Sequence, residues 1–181
     1  MNIRIETDEY DIRKIKSNGD SAKVTMSKNV QGKEYNVIPI PYNDELDVST
    51  EGIIKLQSNV IFNRSVGKRS KINLPKEYIL ADAIVFPVES SRVYISGEFK
   101  NYFIKKAFAA DTVSRVDVPK SFGENVYSVF FTQYFNREGE NLVDEVLLRP
   151  TIDLKRYSSI SLPKRYMGHY MVFFEDDYFE F

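Results

Sequence analysis

A ten-residue pattern returns along the chain at a nearly constant interval. The segments "SKINLPKEYI" from Ser70, "SRVDVPKSFG" from Ser114 and "SSISLPKRYM" from Ser158 alternate polar and apolar residues and then reach Pro-Lys. A fourth segment, "AKVTMSKNVQ" from Ala22, has Ser in place of Pro. The motif lysines are 48, 44 and 44 residues apart, and they are Lys28, Lys76, Lys120 and Lys164. An interval of this size predicts four copies of one supersecondary unit.

Each copy is predicted to be mostly β-strand. In the second copy Ile72 and Leu74 alternate with polar residues, as in a strand with one buried face. Pro75 ends that strand because it has no amide proton to donate, and "KEYILA" then predicts a short helix. Units of about 40 residues made of short strands cannot close a core alone, so the copies must pair. The alternating motif residues are expected in the core, and they are Val24, Met26, Ile72, Leu74, Val116, Val118, Ile160 and Leu162.

The composition excludes several classes of site. The chain of 181 residues contains no cysteine, so disulfides, thiol catalysis and cysteine-ligated metals are excluded. His169 is the only histidine, and one histidine among scattered carboxylates is a poor metal site. No phosphate-binding glycine-rich loop is present. We therefore expect no enzymatic activity, no metal and no cofactor.

Hydropathy and charge indicate a cytoplasmic protein. No segment approaches the roughly 18 consecutive apolar residues of a membrane-spanning helix, and the first ten residues lack the apolar segment of a signal peptide. The net charge is −1, which is not the bulk charge of a protein that coats nucleic acid by electrostatics alone. The distribution of the charges therefore matters more than their sum.

The repeated segments resemble the swapped-hairpin DNA-binding domains of the AbrB/SpoVT family. The resemblance rests on "IRKIKSNGDSAKVTMSK", "FNRSVGKRSKINLPKEY", "SRVDVPKSF" and "SSISLPKRY". It implies a mainly β fold of four tandem swapped-hairpin repeats that pair into two small β-barrels with short helices. Residues 1–99 would form the first barrel from copies one and two, and residues 100–181 the second from copies three and four. The sequence lacks the family's Gly-Asp turn after the helix, and a different β architecture such as a sandwich stays open.

Basic residues gather on the first strands and turns of the copies. The resemblance implies that this surface contacts DNA phosphates and groove edges. The alternative is the solvated face of half-buried strands, which any layered β protein needs. The candidate DNA-binding residues are Arg13, Lys14, Lys16, Lys23, Arg64, Lys68, Arg69, Lys71, Lys105, Lys106, Arg115, Lys155 and Arg156, and Arg149 lies in the same cluster as the last two.

The predicted function is that of a DNA-binding transcriptional regulator or architectural factor, with double-stranded DNA as the partner. The first alternative is a protein-interaction module, antitoxin-like or an assembly scaffold, that keeps the fold without binding DNA. The near-neutral charge and the acidic C-terminal segment "EDDYFEF" favour that alternative, with this segment as a candidate site for a protein partner. The segment also aligns with "VYISGEF" of the second copy, which favours its interpretation as the last strand of the second barrel. A third alternative is a structural virion or membrane-associated protein. Self-association is compatible with each of them.

Overall fold

The protein is mainly β, with several antiparallel sheets. The structure is a computed structural model. It describes residues 2–41, 46–49, 51–58, 60–97, 103–106, 108–110, 113–117, 126–132, 135–143, 149–153, 159–163 and 170–175.

Copies one and two account for the first eleven strands and for two single-turn 3₁₀ helices, at Lys28–Val30 and Lys76–Tyr78. The strands are β1 (Asn2–Thr7), β2 (Asp11–Lys14), β3 (Lys16–Asn18), β4 (Ser21–Thr25), β5 (Glu34–Ile40), β6 (Asp47–Val48), β7 (Ile53–Gln57), β8 (Phe62–Ser65), β9 (Lys71–Leu74), β10 (Asp82–Pro87) and β11 (Ser91–Ser96).

The later part of the chain contributes eight further strands within its described residues. They are β12 (Phe103–Lys106), β13 (Phe108–Ala110), β14 (Val113–Asp117), β15 (Val126–Thr132), β16 (Asn141–Leu142), β17 (Arg149–Asp153), β18 (Ser159–Pro163) and β19 (Tyr170–Glu175).

Strands β1 to β11, together with β16, form three sheets. The outer sheet has the order β16-β11-β1-β7-β6, the central sheet β2-β10-β5-β8, and the motif sheet β3-β4-β9. One apolar cluster joins the outer sheet to the central sheet through residues such as Ile5, Ile54 and Ile84. A second cluster joins the motif sheet to the central sheet through residues such as Val24 and Val85. The central strands β5 and β10 are therefore buried on both faces, which explains their continuous apolar sequences.

The two motif strands of this region pair with each other about a local two-fold axis. Val24 lies opposite Ile72, and each residue is four positions before the motif lysine of its copy. In the central sheet Val37 lies opposite Val85, and each is nine positions after that lysine. Two pairings with the same symmetry place copies one and two in equivalent positions.

The junction after each motif strand repeats the same hydrogen bonds. Gly32 N donates to Val66 O at 2.8 Å, and Leu80 N, 48 residues later, donates to Ile15 O at 3.0 Å. Val66 N donates to Lys33 O and Ile15 N donates to Ala81 O, each at 2.9 Å. Val66 and Ile15 are 51 residues apart because the hairpin of the first copy is three residues longer.

The motif lysines of these copies occupy the predicted context. Lys28 and Lys76 each follow a strand closely and begin a 3₁₀ turn. Lys120 and Lys164 lie outside the described residues. Val24, Ile72 and Leu74 are buried as predicted, and Met26 is partly buried against the same cluster.

The later motif strands and the pair β15 and β19 keep the same registers, whereas the pairing of β15 with β17 shifts between Tyr127 and Val129. Val116 lies opposite Ile160, and Val129 opposite Phe173, which are the motif positions that pair in the first two copies. The strand order β12-β19-β15-β17 corresponds to the central sheet, and β13-β14-β18 to the motif sheet.

Residues 135–143, which the sequence assigns to the second domain, contact the outer sheet. Leu142 of β16 lies opposite Tyr94 of β11, and Val143 N donates to Val93 O at 2.9 Å. The buried Asn141 amide holds the preceding loop by accepting from Asn136 N at 2.6 Å. The predicted boundary near residue 99 falls outside the described residues and stays a prediction.

Replacement of Leu74 tests the core assignment. Leu74→Ala should lower the free energy of unfolding by about 2–5 kcal/mol, because it removes a side chain that is 3% exposed. Leu80→Ala is the matched control, since Leu80 is 77% exposed and its truncation should cost less than about 0.5 kcal/mol. Urea denaturation measures both, and equal losses would contradict the assignment.

The junction supplies a second stability test. Gly32 and Leu80 occupy the same position and share the left-handed backbone, with φ of +81° and +77°. That conformation costs a residue with a Cβ roughly 1–2 kcal/mol. Leu80→Gly should therefore stabilise the protein by about 0.5–1 kcal/mol, and Gly32→Leu should destabilise it by about 1 kcal/mol. A loss of stability in Leu80→Gly would show that the exposed side chain contributes contacts.

Candidate functional site

The outward face of the motif sheet is polar and basic. Lys16 lies opposite Lys23, and Lys23 lies opposite Asn73. Thr25 lies opposite Lys71 in the next row. Like charges that face each other across neighbouring strands are unfavourable, and no described carboxylate forms an ion pair with any of these three lysines. Such a face is suited to an anionic partner.

Side-chain amides connect the two edges of this face. Lys71 Nζ donates to Asn18 Oδ1 at 3.1 Å. Asn18 Nδ2 in turn lies 3.4 Å from Asn73 Oδ1 and 3.3 Å from Ser21 Oγ. The bonds cross β4 and connect side chains of β3 and β9, so Lys71 is held within the polar surface.

A second group of basic residues adjoins the start of β9. We call residues 26–33 and 66–70 the basic corner. It carries Lys28, Lys33, Lys68 and Arg69, all exposed, and it contains no aspartate or glutamate. None of the four forms an ion pair with a described carboxylate. Four uncompensated charges on two adjacent segments produce a local positive potential that the net charge of −1 does not reveal.

Hydrogen bonds between the two segments fix the basic corner. Met26 N donates to Ser70 O at 2.7 Å. The Gln31 Nε2 group donates to Lys68 O at 2.9 Å and to Ser70 Oγ at 2.8 Å. Ser70 has φ of +53°, in the left-handed region, and it is buried beneath the turn. The exposed lysines and the arginine therefore extend from an ordered backbone.

Three of the predicted DNA-binding residues have other contacts. Arg13 forms an ion pair with Asp11 and donates to Thr25 O at 3.3 Å. Lys14 Nζ lies 2.7 Å from Asp82 Oδ1. Arg64 lies over the Phe62 ring, 5.3 Å from its centroid. The first two charges are locally neutralised and supply little positive potential.

The candidates in the later copies lie on separate strands. Lys105 and Lys106 belong to β12, Arg115 to β14 and Arg149 to β17, while Lys155 and Arg156 lie outside the described residues. The motif positions of Lys23, Thr25, Lys71 and Asn73 are occupied in β14 and β18 by Arg115, Asp117, Ser159 and Ser161. The later motif strands therefore carry one basic and one acidic residue at these positions, whereas the motif strands of copies one and two carry two lysines.

The sequence prediction missed Lys33 and gave Lys28 no specific binding role. Both residues belong to a stretch without acids that spans residues 21–33, and residues 52–76 form another. That pattern is visible in the sequence. The meeting of the two stretches at one corner is not, because it depends on pairing between copies.

A polar cavity of about 500 Å³ on the outer sheet is a separate feature. Arg4 and Glu140 meet there through two parallel contacts, Nε to Oε1 at 2.7 Å and Nη2 to Oε2 at 2.8 Å. The guanidinium also lies 4.0 Å from the centroid of the Tyr94 ring. These charges satisfy each other, so we assign the contact to the attachment of residues 135–143 rather than to a ligand.

Other classes of site find little support in the part of the chain that the structure describes. It contains no group of three histidine, cysteine, aspartate or glutamate side chains placed to hold a metal ion. Its helical segments are too short to cross a membrane.

Comparisons with protein-family models, with curated proteins and with solved structures give no match. The resemblance to the AbrB/SpoVT family therefore stays a prediction.

The ion pair of Arg4 and Glu140 predicts a pH-dependent contribution to stability. Hydrogen bonds from Arg4 hold the pKa of Glu140 below its usual range. The contribution is therefore complete above the pKa of an unfolded glutamate, about 4.3, and is lost as the pH falls through the lower folded-state pKa. The wild type should be more stable than Glu140→Gln at pH 7, and the difference should shrink towards about pH 3. A difference that stays constant in thermal unfolding across this range would contradict the pairing.

Proposed function

We propose that the protein binds double-stranded DNA through the basic corner and the adjoining face of the motif sheet, as a regulator or an architectural factor. The observation that carries the proposal is the basic corner itself, with four exposed cations, no carboxylate and an ordered backbone. DNA presents a regular array of phosphates, and contacts from lysine and arginine to that array supply most non-specific affinity.

The strand pairing is consistent with the swapped-hairpin fold that the sequence resembles. The first strand of copy one, β2, pairs with β10 of copy two, and β8 of copy two pairs with β5 of copy one. Copies three and four repeat the order. Under this proposal each pair of copies forms one swapped-hairpin barrel, and the chain is a covalent pseudo-dimer of such barrels.

A protein-interaction module is the second candidate. Leu80 is 77% exposed in a left-handed conformation, where copy one has glycine. Retention of a bulky apolar side chain at an unfavourable backbone position favours a contact with another protein. The basic corner would then bind an acidic protein surface, and a failure to bind DNA would support this reading.

Fluorescence anisotropy with a random-sequence duplex tests the proposal. The intact protein should bind at about 50 mM salt with a dissociation constant between about 10⁻⁴ and 10⁻⁶ M. Lys68→Ala/Arg69→Ala should weaken binding and flatten the slope of log K against log salt by about two units, one per lost phosphate contact.

The control carries the same charge change on the outer sheet. Lys55→Ala/Arg92→Ala removes two exposed cations from β7 and β11 and should leave the slope unchanged. No binding by the intact protein at about 100 µM and 50 mM salt would overturn the proposal, since even non-specific binding falls within that range.

A further inference from the structure

The two-fold relation between copies one and two gives the basic corner a structural counterpart. Residues 74–81 correspond to residues 26–33, and residues 15–22 correspond to residues 66–70. We call this counterpart the mixed corner. Its junction begins with Lys76 as the basic corner's begins with Lys28, and both lysines are exposed at the first position of a 3₁₀ turn.

The two corners share the same junction hydrogen bonds and differ in charge. The basic corner carries four cations and no anion, whereas the mixed corner carries Lys16 and Lys76 against Asp20 and Glu77. The next equivalent pair of positions is Glu34 and Ser65 at the basic corner and Asp82 and Lys14 at the mixed corner. With these positions included, the formal charge is +3 at the basic corner and zero at the mixed corner. Two identical subunits cannot differ in this way, but two linked copies can.

Lys14, which adjoins the mixed corner, already has two contacts. Lys14 Nζ is held between Asp82 Oδ1 at 2.7 Å and Leu80 O at 3.2 Å. The corresponding position at the basic corner, Ser65, has no cation, and Gly32 stands where Leu80 lies. The Leu80 side chain is exposed at the mixed corner and would face the phosphates of any duplex placed there. Charge and shape both disfavour DNA at the mixed corner.

We infer that the protein binds one DNA duplex per pair of copies one and two, off the two-fold axis, through the sugar–phosphate backbone at the basic corner and not at the mixed corner. This inference rests on the proposed function. Symmetric domains read inverted repeats because each half presents the same surface to a half-site, and copies one and two do not. Three of the four cations at the corner are lysines, whose ammonium groups contact phosphates as point charges and lack the planar, bidentate geometry of arginine. The expected partner is therefore duplex DNA with little sequence preference and no requirement for an inverted repeat.

The equivalent lysines supply a matched pair of variants. Lys28→Glu and Lys76→Glu make the same charge reversal at the same position of the same turn. In anisotropy titrations of the full chain with a random-sequence duplex at about 50 mM salt, Lys28→Glu should weaken binding about tenfold, and Lys76→Glu should change it less than about twofold. Circular dichroism confirms that each variant folds, and Lys68→Glu in the exposed turn replaces Lys28→Glu if that variant does not.

The outcomes separate this inference from the proposed function. If the intact protein binds DNA and the two variants weaken binding equally, the duplex lies across both corners, and the off-axis inference fails while the function stands. If neither variant changes the binding of a protein that binds DNA, the basic corner is not the site, and the inference fails as well. If the intact protein binds no duplex, the proposed function fails first.

Discussion

The antiparallel pairing of two motif strands from different copies is the constraint on which the rest of the structure depends. Val24 and Ile72 can face each other only if the two copies are related by a two-fold axis at that point. The same axis then sets the pairing of Val37 with Val85 and the exchange of β2 and β8 across the central sheet. Because one strand of each copy pairs with a strand of the other copy, neither copy can form a complete sheet and core alone.

Burial of the central sheet on both faces separates the functional surfaces. The outer sheet covers one face and receives residues 135–143, whose attachment includes the Arg4 and Glu140 ion pair. The motif sheet covers the other face and exposes its lysines on the far side. The charged residues of the turns and junctions at the ends of the motif strands are exposed, so the charges could differ between copies while the hydrogen bonds were kept. The basic corner and the mixed corner illustrate that divergence.

Local patterns in the sequence predict the repeating strands and turns. They do not predict contacts that depend on pairing between strands far apart in the chain. The alternation of Ile72 and Leu74, followed by Pro-Lys, predicts the motif strand, its buried face and the helical turn that follows. The prediction of Lys14 as a DNA-binding residue could not foresee its partner, since the contact of Lys14 with Asp82 depends on strand pairing with a residue 68 positions away. The attachment of residues 135–143 to β11 likewise cannot be predicted from the sequence, because a two-residue strand such as β16 is too short to show an alternation of polar and apolar residues.

The repeated register is tested most directly by cross-linking in the later copies. The chain contains no native cysteine, so the pair Val116→Cys/Ile160→Cys forms the only disulfide available to it. Residues directly opposite in an antiparallel pair lie within the Cα separation that a disulfide requires, about 4.4–6.8 Å. Under mild oxidation this variant should form an intramolecular disulfide, as Val24→Cys/Ile72→Cys should, whereas the slipped pair Val116→Cys/Ser161→Cys should not. Efficient cross-linking of the slipped pair, with none between positions 116 and 160, would contradict a common register in both halves of the chain.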